Sequence, residues 1–129
     1  MKPLQRILHV EDVPSIQVVT RIALEKLGGF SVLSCASAQA ALEQAQAFQP
    51  DLILLDVMLP EMSGIELLRQ LAPRIDLQRT LVVLLTGQPD DPASPEALQS
   101  LGVRKLLHKP FDPLLLASQL NEIWTTEHE

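Results

Sequence analysis

The chain has 129 residues, of which 47% are hydrophobic and 20% are charged. This length and composition fit one folded domain and exclude a disordered chain, which would have less apolar surface and more net charge. The formal charge of −6 has the wrong sign for a protein that neutralises nucleic-acid phosphates, and aromatic residues at 3% are too few for a base-stacking sheet. Direct nucleic-acid binding is therefore not expected.

Three features of the sequence bear on the cellular compartment. Cys35 is the single cysteine, which excludes an internal disulfide and a multi-cysteine zinc site and is compatible with a reducing compartment. The apolar run at residues 7–10 ends at Glu11 and Asp12, so it is too short for the core of a secretion signal. No stretch approaches the roughly 18 uninterrupted apolar residues of a membrane span. The sequence predicts a soluble cytoplasmic protein that does not associate with membranes.

The first part of the chain alternates short apolar runs with helical periodicity. Residues 7–10 predict a strand, and a helix is expected from about Pro14. The apolar residues of this helix recur at three- and four-residue spacing, namely Ile16, Val19, Ala23, Leu24 and Leu27. A pair of glycines beginning at Gly28 ends it. Residues 30–36 predict a second strand, and residues 37–47 predict a helix that Ser37 can cap.

The central part contains two strongly apolar runs. Residues 52–55 are apolar at every position, which in a strand requires burial on both faces and predicts a central place in a parallel sheet. This strand ends in Asp56. A third helix is predicted around residues 65–72, and residues 81–85 form another apolar strand that ends in Thr86.

Prolines interrupt the segment that follows Thr86. They are Pro89, Pro92 and Pro95. A fourth helix is therefore expected only over residues 94–101, with Ser94 as its cap. Residues 103–108 predict a fifth strand, and a last helix starts at Asp112. Of the three leucines at residues 114–116, two are expected in the core by helical spacing.

Five β-α units in a chain of this length predict a three-layer α/β sandwich, with helices on both faces of a five-stranded parallel sheet. We expect a single domain over residues 1–129, with a core of about residues 5–125. Ligands of open α/β sheets bind outside the carboxyl ends of the strands. The residues at those ends are therefore the candidates for function.

Polar residues follow four of the predicted strands: Glu11 and Asp12, Asp56, Thr86 and Lys109. Three carboxylates close together repel one another unless a cation is present. A hard divalent ion such as Mg²⁺ prefers oxygen ligands, whereas zinc favours the His and Cys ligands that this set lacks. The strand ends therefore predict a Mg²⁺ site that can engage a phosphoryl group.

Each of these residues also has an ordinary structural explanation. Asp12 alone is more simply a helix cap or turn residue, Thr86 a β-branched residue at a strand end, and Lys109 a surface lysine. Asp56 is harder to explain in this way, because a carboxylate after four buried apolar residues is costly without a partner. The coincidence of all of them at one edge favours a functional site.

Four segments resemble the receiver domains of response regulators in two-component signalling. They are residues 7–12 (ILHVED), 50–64 (PDLILLDVMLPEMSG), 84–87 (LLTG) and 109–111 (KPF). The ordered set is specific, and the resemblance covers nearly the whole chain. It implies the CheY-like, flavodoxin-like fold, a doubly wound sandwich whose five-stranded parallel sheet has the order 2-1-3-4-5 with five helices.

The resemblance implies roles for the acidic residues. Asp56 would be the phosphoacceptor, a carboxylate nucleophile that takes a phosphoryl group from a sensor histidine kinase or a histidine phosphotransfer protein. Asp12 and Asp56 would bind Mg²⁺, with Glu11 acting through a bound water. The backbone carbonyl of Met58 would be a further ligand, since its soft thioether does not suit Mg²⁺.

The resemblance also assigns the remaining positions. Lys109 would pair with one phosphoryl oxygen, and the Thr86 hydroxyl would donate to another. Pro110 resembles the cis proline that follows this lysine in the family. The family's aromatic switch residue is replaced by Leu106, so we expect activation to run through residues 87–93 instead, with Leu106 as a passive packing residue.

The leading hypothesis is a bacterial phosphorelay module that catalyses only its own phosphorylation and dephosphorylation and acts through protein binding. A phosphatase of the aspartyl-phosphate type would carry a second Asp where this chain has Met58. A receiver-like interaction module that acts independently of phosphorylation is the alternative, favoured by Leu106. A dinucleotide-binding domain would need a glycine-rich loop after the first strand.

A homodimer through the fourth helix, fifth strand and fifth helix is a further expectation, and the downstream output is open.

Overall fold

Five parallel strands form one sheet in a computed structural model that describes residues 2–87 and 95–128. The strands are β1 (Arg6–Val10), β2 (Ser31–Cys35), β3 (Leu52–Asp56), β4 (Leu81–Thr86) and β5 (Val103–His108). Their order across the sheet is β2-β1-β3-β4-β5. The predicted doubly wound, flavodoxin-like fold is therefore confirmed.

A helix follows each strand, as the sequence predicts. The helices are α1 (Pro14–Ile22), α2 (Ala38–Phe48), α3 (Gly64–Leu71), α4 (Pro95–Ser100) and α5 (Pro113–Glu127). Ser37 caps α2 by accepting a hydrogen bond from the Ala40 backbone N–H. The expected Ser94 cap of α4 lies outside the described residues. Within the described chain, no helix is long and apolar enough to cross a membrane.

The two central strands are the most deeply buried elements. β3 and β4 are buried at every position, as their uninterrupted apolar runs predict. One apolar layer lies between the sheet and helices α2, α3 and α4, and a second lies between the sheet and α5, with Leu24 contributed by the π-helical turn that follows α1. Each fully buried leucine contributes about 2 kcal/mol of transfer free energy. The residues at the carboxyl ends of β3 and β4 therefore follow the most deeply buried strands of the sheet.

The buried face of α1 differs from the predicted apolar stripe. Thr20, Ala23 and Leu24 are buried, whereas Val19 and Leu27 are 47% and 57% exposed. The chain continues beyond α1 as a π-helical turn, Ala23–Leu27, and this wider turn shifts the later positions away from regular helical spacing. The expectation that the whole stripe faces the core is therefore wrong.

The leucines that open α5 are also less buried than expected. Leu116 is fully buried, whereas Leu114 is 74% and Leu115 is 52% exposed. Leu116, Leu120 and Trp124 share one helical face at four-residue spacing and pack against the sheet. The two preceding leucines lie off that face, so only one of the three belongs to the core.

Gly102, which joins α4 to β5, offers a test of backbone strain. It has a φ of +85°, and a Cβ at this position would clash with the backbone carbonyl oxygen of Leu77. Gly29 has a comparable φ of +70° but open space around its Cβ position. We expect Gly102→Ala to lower the free energy of unfolding by about 3 kcal/mol and Gly29→Ala by about 1 kcal/mol. Urea denaturation measures both, and equal losses would contradict this account.

Candidate functional site

The carboxyl ends of the strands bring the predicted acidic residues together. Glu11 and Asp12 follow β1, and Asp56 is the last residue of β3. One carboxylate oxygen from each of these three residues lies within 4.8 Å of the others. We call this group, together with Lys109, the acidic rim. Glu11 is fully buried and Asp56 is 6% exposed, so the negative charges of the rim are largely withdrawn from water.

Lys109 bridges two of the three carboxylates. Its Nζ lies 2.5 Å from Asp56 Oδ2 and 3.0 Å from Glu11 Oε1. The lysine follows β5, and its backbone N–H donates to the carbonyl oxygen of Thr86 at 2.8 Å. The peptide bond to Pro110 is cis, in agreement with the resemblance. One ammonium therefore joins the ends of β1, β3 and β5.

The rim changes the pKa of two of its members. Burial raises the pKa of the Glu11 carboxyl, although the hydrogen bond from Lys109 opposes this shift. Burial alone would lower the pKa of Lys109, but its hydrogen bonds to Asp56 and Glu11 outweigh burial and raise that pKa. Lys109 is therefore held in its charged form by the carboxylates that it neutralises.

The turn after β3 is tightly built and orients Asp56. The Met58 backbone N–H donates to Asp56 Oδ1 at 3.0 Å. The other carboxylate oxygen, Oδ2, accepts the hydrogen bond from Lys109 Nζ. The Gly64 N–H closes the turn by donating to the Val57 carbonyl at 2.7 Å. A Cβ on Gly64 would lie 2.7 Å from the Asp56 carbonyl oxygen, so a glycine is required where α3 begins against β3.

The donor set at the rim suits a hard cation. Asp12 is half-buried and its carboxylate makes no hydrogen bond within the described part of the chain. Both Glu11 oxygens are already used, one by Lys109 and the other by the Val13 backbone N–H at 3.2 Å. Carboxylate oxygens are the ligands that Mg²⁺ prefers. The residues therefore fit Mg²⁺, with Asp12 as the carboxylate most available to it.

His9 is a neighbour of the site that the sequence reading did not single out. It lies in β1 and is fully buried, with both ring nitrogens lacking a hydrogen-bond partner among the described residues. Burial, assisted by the charge of Lys109, lowers its pKa to about 4. The imidazole is therefore neutral at physiological pH and adds no charge to the rim. A histidine within an otherwise apolar strand is the signal that could have identified it.

Leu106 and Thr86 occupy the same face of the sheet. Leu106 pairs in register with Leu84, and Thr86 with His108. Leu106 is half-buried and packs against the apolar layer beneath α2, α3 and α4. His108 is exposed. The hypothesis that residues 87–93 carry activation falls almost entirely outside the described residues and stays a hypothesis.

Comparison with known proteins identifies the family. The chain matches the response regulator receiver domain over residues 7–121. The chain belongs to this family. It is 33% identical over 112 residues to the probable C4-dicarboxylate response regulator DctR of Halalkalibacterium halodurans, across 85% of this chain and 47% of that protein. It is 34% identical to the aerobic respiration control sensor protein ArcB of Escherichia coli K12, across 98% of this chain and 16% of ArcB.

Solved structures agree with this assignment. The receiver domain superimposes on the chemotaxis response regulator CheY4 of Vibrio cholerae with a TM-score of 0.80 and 28% identity, over 93% of this chain and 98% of that one. The chain spans about half or less of the curated relatives named above. As a receiver domain it is a signalling module of two-component systems with a role in a phosphorelay.

Replacing Lys109 tests the electrostatics of the rim. Lys109→Met leaves two buried carboxylates without their cation, so we expect a loss of about 1–3 kcal/mol in the free energy of unfolding near pH 7. The pKa of Glu11 then rises further, and the folded state binds more protons than the unfolded state. The stability of the variant should therefore recover as the pH falls from about 8 to about 5.

Lys105→Met is the matched control, because Lys105 is an exposed lysine of β5. Urea denaturation in metal-free buffer across this pH range measures all three proteins. A Lys109→Met protein with the pH profile of the wild type would contradict the assigned coupling.

Proposed function

We propose that this receiver domain accepts a phosphoryl group on Asp56 from a phosphohistidine, in a reaction that requires Mg²⁺. The observation that carries the proposal is the setting of the Asp56 carboxylate. It is nearly buried at the carboxyl edge of the sheet, Lys109 binds one of its oxygens, and the Met58 N–H binds the other.

The chemistry follows from this arrangement. A carboxylate oxygen of Asp56 attacks the phosphorus of the donor, an O–P bond forms, and the N–P bond to the donor imidazole breaks. The electron pair of that bond leaves with the imidazole. Phosphoryl transfer depends on positioning and on neutralising charge at the phosphoryl oxygens. Lys109 supplies a positive charge beside Asp56, and the Thr86 hydroxyl is assigned to a second phosphoryl oxygen.

The same residues account for a Mg²⁺ requirement. Asp12 and Asp56 would bind the ion, Glu11 would act through a bound water, and the Met58 backbone carbonyl would complete the protein ligands. When bound, the ion neutralises negative charge on the carboxylates and on the phosphoryl group. Glu11 has a second role, because its buried carboxylate holds Lys109 near Asp56.

A protein donor is supported by the surface around the rim. Large apolar side chains are exposed where the elements meet this edge, with Val13 at 39%, Met58 at 68% and Leu114 at 74% exposure. Exposed apolar groups of this kind are typical of surfaces that bind other proteins. We therefore assign the donor to a histidine kinase or a histidine phosphotransfer protein.

The same proposal includes signalling through altered protein binding. One form of such binding would be a homodimer through α4, β5 and α5.

Leu106 favours a second candidate function. A leucine has neither the ring nor the hydroxyl by which an aromatic switch residue responds to phosphorylation. A ligand shifts a conformational equilibrium only through the difference in its interactions with the two states. A receiver-like module that binds its partner independently of phosphorylation is therefore the alternative.

Intact-mass measurement separates the two candidates. After incubation with Mg²⁺ and acetyl phosphate, we expect the wild-type mass to rise by one phosphoryl group, about 80 Da. Asp56→Asn should show no increase, because the amide is not a nucleophile of this kind. Asp76→Asn, which changes an exposed carboxylate remote from the rim, is the control and should be modified like the wild type. Modification of Asp56→Asn, or of the wild type in chelator, would refute the assignment.

The metal ligands can be ranked by conservative substitution. We expect Asp12→Asn to weaken Mg²⁺ binding about tenfold and Glu11→Gln about threefold, since direct contact with the ion outweighs a contact through water. Isothermal titration calorimetry or NMR titration measures both. Trp124 lies in α5, and its indole N–H donates a hydrogen bond to the Lys2 carbonyl. Its fluorescence is therefore a poor reporter of Mg²⁺ binding at the rim. Equal losses of Mg²⁺ affinity in the two variants would contradict direct binding by Asp12 and water-mediated binding by Glu11.

A further inference from the structure

The amino edge of the sheet, opposite the acidic rim, carries a concentration of basic residues. A cavity of about 890 Å³ opens there. Five of the ten Lys and Arg residues of the chain line it, namely Lys2, Arg6, Arg74, Arg79 and Arg104. Three acidic residues, Asp51, Asp76 and Glu127, also line it. The cavity therefore has an excess of two positive charges within a chain whose net charge is −6.

Two of the five cations are neutralised by the protein itself. Lys2 Nζ lies 2.6 Å from a carboxylate oxygen of the buried Asp51. Arg104 Nε lies 3.3 Å from a carboxylate oxygen of Glu127. The remaining three are arginines, and none of them forms an ion pair with a carboxylate of residues 2–87 or 95–128. They are Arg6, Arg74 and Arg79.

Within the described residues, the guanidinium groups of these arginines use few of their hydrogen-bond donors. Arg6 donates through Nε to the Gln49 carbonyl at 3.0 Å, and Arg74 donates through Nη1 to the Leu42 carbonyl at 3.3 Å. Each guanidinium has five N–H donors, so these contacts anchor two side chains and leave several donors on each. The side chain of Arg79 makes no hydrogen bond to the described residues, although its backbone N–H donates to the Asp76 carbonyl at 3.1 Å. Anchored guanidinium groups with spare donors form a ready site for an anion.

We propose that this cavity is a second ligand site, which binds a small anion carrying two or more phosphoryl groups. Three guanidinium groups without a carboxylate partner in residues 2–87 and 95–128 match a ligand with several negative charges better than they match a single orthophosphate. The tetrahedral oxygens of phosphoryl groups accept from arginines that approach in different directions, whereas a planar carboxylate accepts mainly in its own plane. The volume is in the range of about 300–1,000 Å³ that is usual for small-molecule sites.

The site is separate from the chemistry of the acidic rim. Asp51 borders the cavity and Asp56 ends β3 at the rim, and a strand of this length separates its two ends by about 16 Å. Occupation of the cavity does not require Asp56, Mg²⁺ or a histidine donor. A failure of this proposal therefore leaves the proposed phosphorylation untouched, and the reverse also holds.

An NMR titration in metal-free buffer tests the proposal. The probes are inorganic pyrophosphate and adenosine diphosphate, with orthophosphate and succinate as comparisons. We expect pyrophosphate to shift the backbone amides of Arg6, Gln49, Arg74 and Arg79 and to bind about tenfold more tightly than orthophosphate or succinate. If adenosine diphosphate binds more tightly than pyrophosphate, the ligand class is a nucleoside polyphosphate. If it binds equally or more weakly, the site recognises the phosphoryl groups alone. Shifts confined to residues near Lys109, or equal binding of succinate, would overturn the proposal.

Paired substitutions distinguish a site from general electrostatic attraction. Arg74→Gln with Arg79→Gln should weaken pyrophosphate binding about tenfold or more. The control is Arg21→Gln with Arg69→Gln, which removes the same charge from arginines that pair with Glu25 and Glu66 on helices elsewhere. All four side chains are exposed, so both variants should fold, which circular dichroism checks. Equal weakening in the two variants would refute a specific site.

Discussion

The contact of one ammonium with two buried carboxylates holds the functional edge of this protein together. Glu11 follows β1 and Asp56 ends β3, and burying a carboxylate without a cation is costly. Lys109 supplies that cation from a third strand. Asp12 is not part of this contact, and its carboxylate has no hydrogen bond among the described residues. With one ammonium against three carboxylates, the described rim keeps an excess of negative charge, which favours the entry of a cation.

A parallel sheet separates the two ends of its strands, and here it also separates charge. All strands end at the edge that carries the acidic rim, and all begin at the edge where five cations line a cavity. The net charge of −6 conceals this division. Two anionic ligands could therefore bind at opposite edges for different reasons. In the proposed function, the anion at the rim would be a phosphoryl group beside Lys109 and a metal ion, and the anion proposed for the other edge would meet guanidinium groups that have no carboxylate partner among the described residues.

A leucine, Leu106, stands where receiver domains usually have an aromatic switch residue. Leu106 lies on the same face of the sheet as Thr86 and contacts the apolar layer under α2, α3 and α4. A leucine side chain can transmit a conformational change only through its van der Waals contacts. Closely packed protein interiors transmit small shifts in atomic position because they contain few voids. Any response that passes through Leu106 must therefore be a movement of the apolar layer and cannot be a change of hydrogen bonding.

The alternation of strands and helices could be predicted from the sequence, as could the central place of β3 and β4 and the position of Asp56 and Lys109 at one edge. These are local properties, since an uninterrupted apolar run and the polar residue that ends it are adjacent in the chain. The folded structure was needed to show that Lys109 pairs with Glu11 and leaves Asp12 without a hydrogen bond among the described residues, that Thr20 is buried, and that arginines far apart in sequence line one cavity. Such contacts depend on helix rotation and side-chain direction across long separations, which hydrophobic periodicity does not encode.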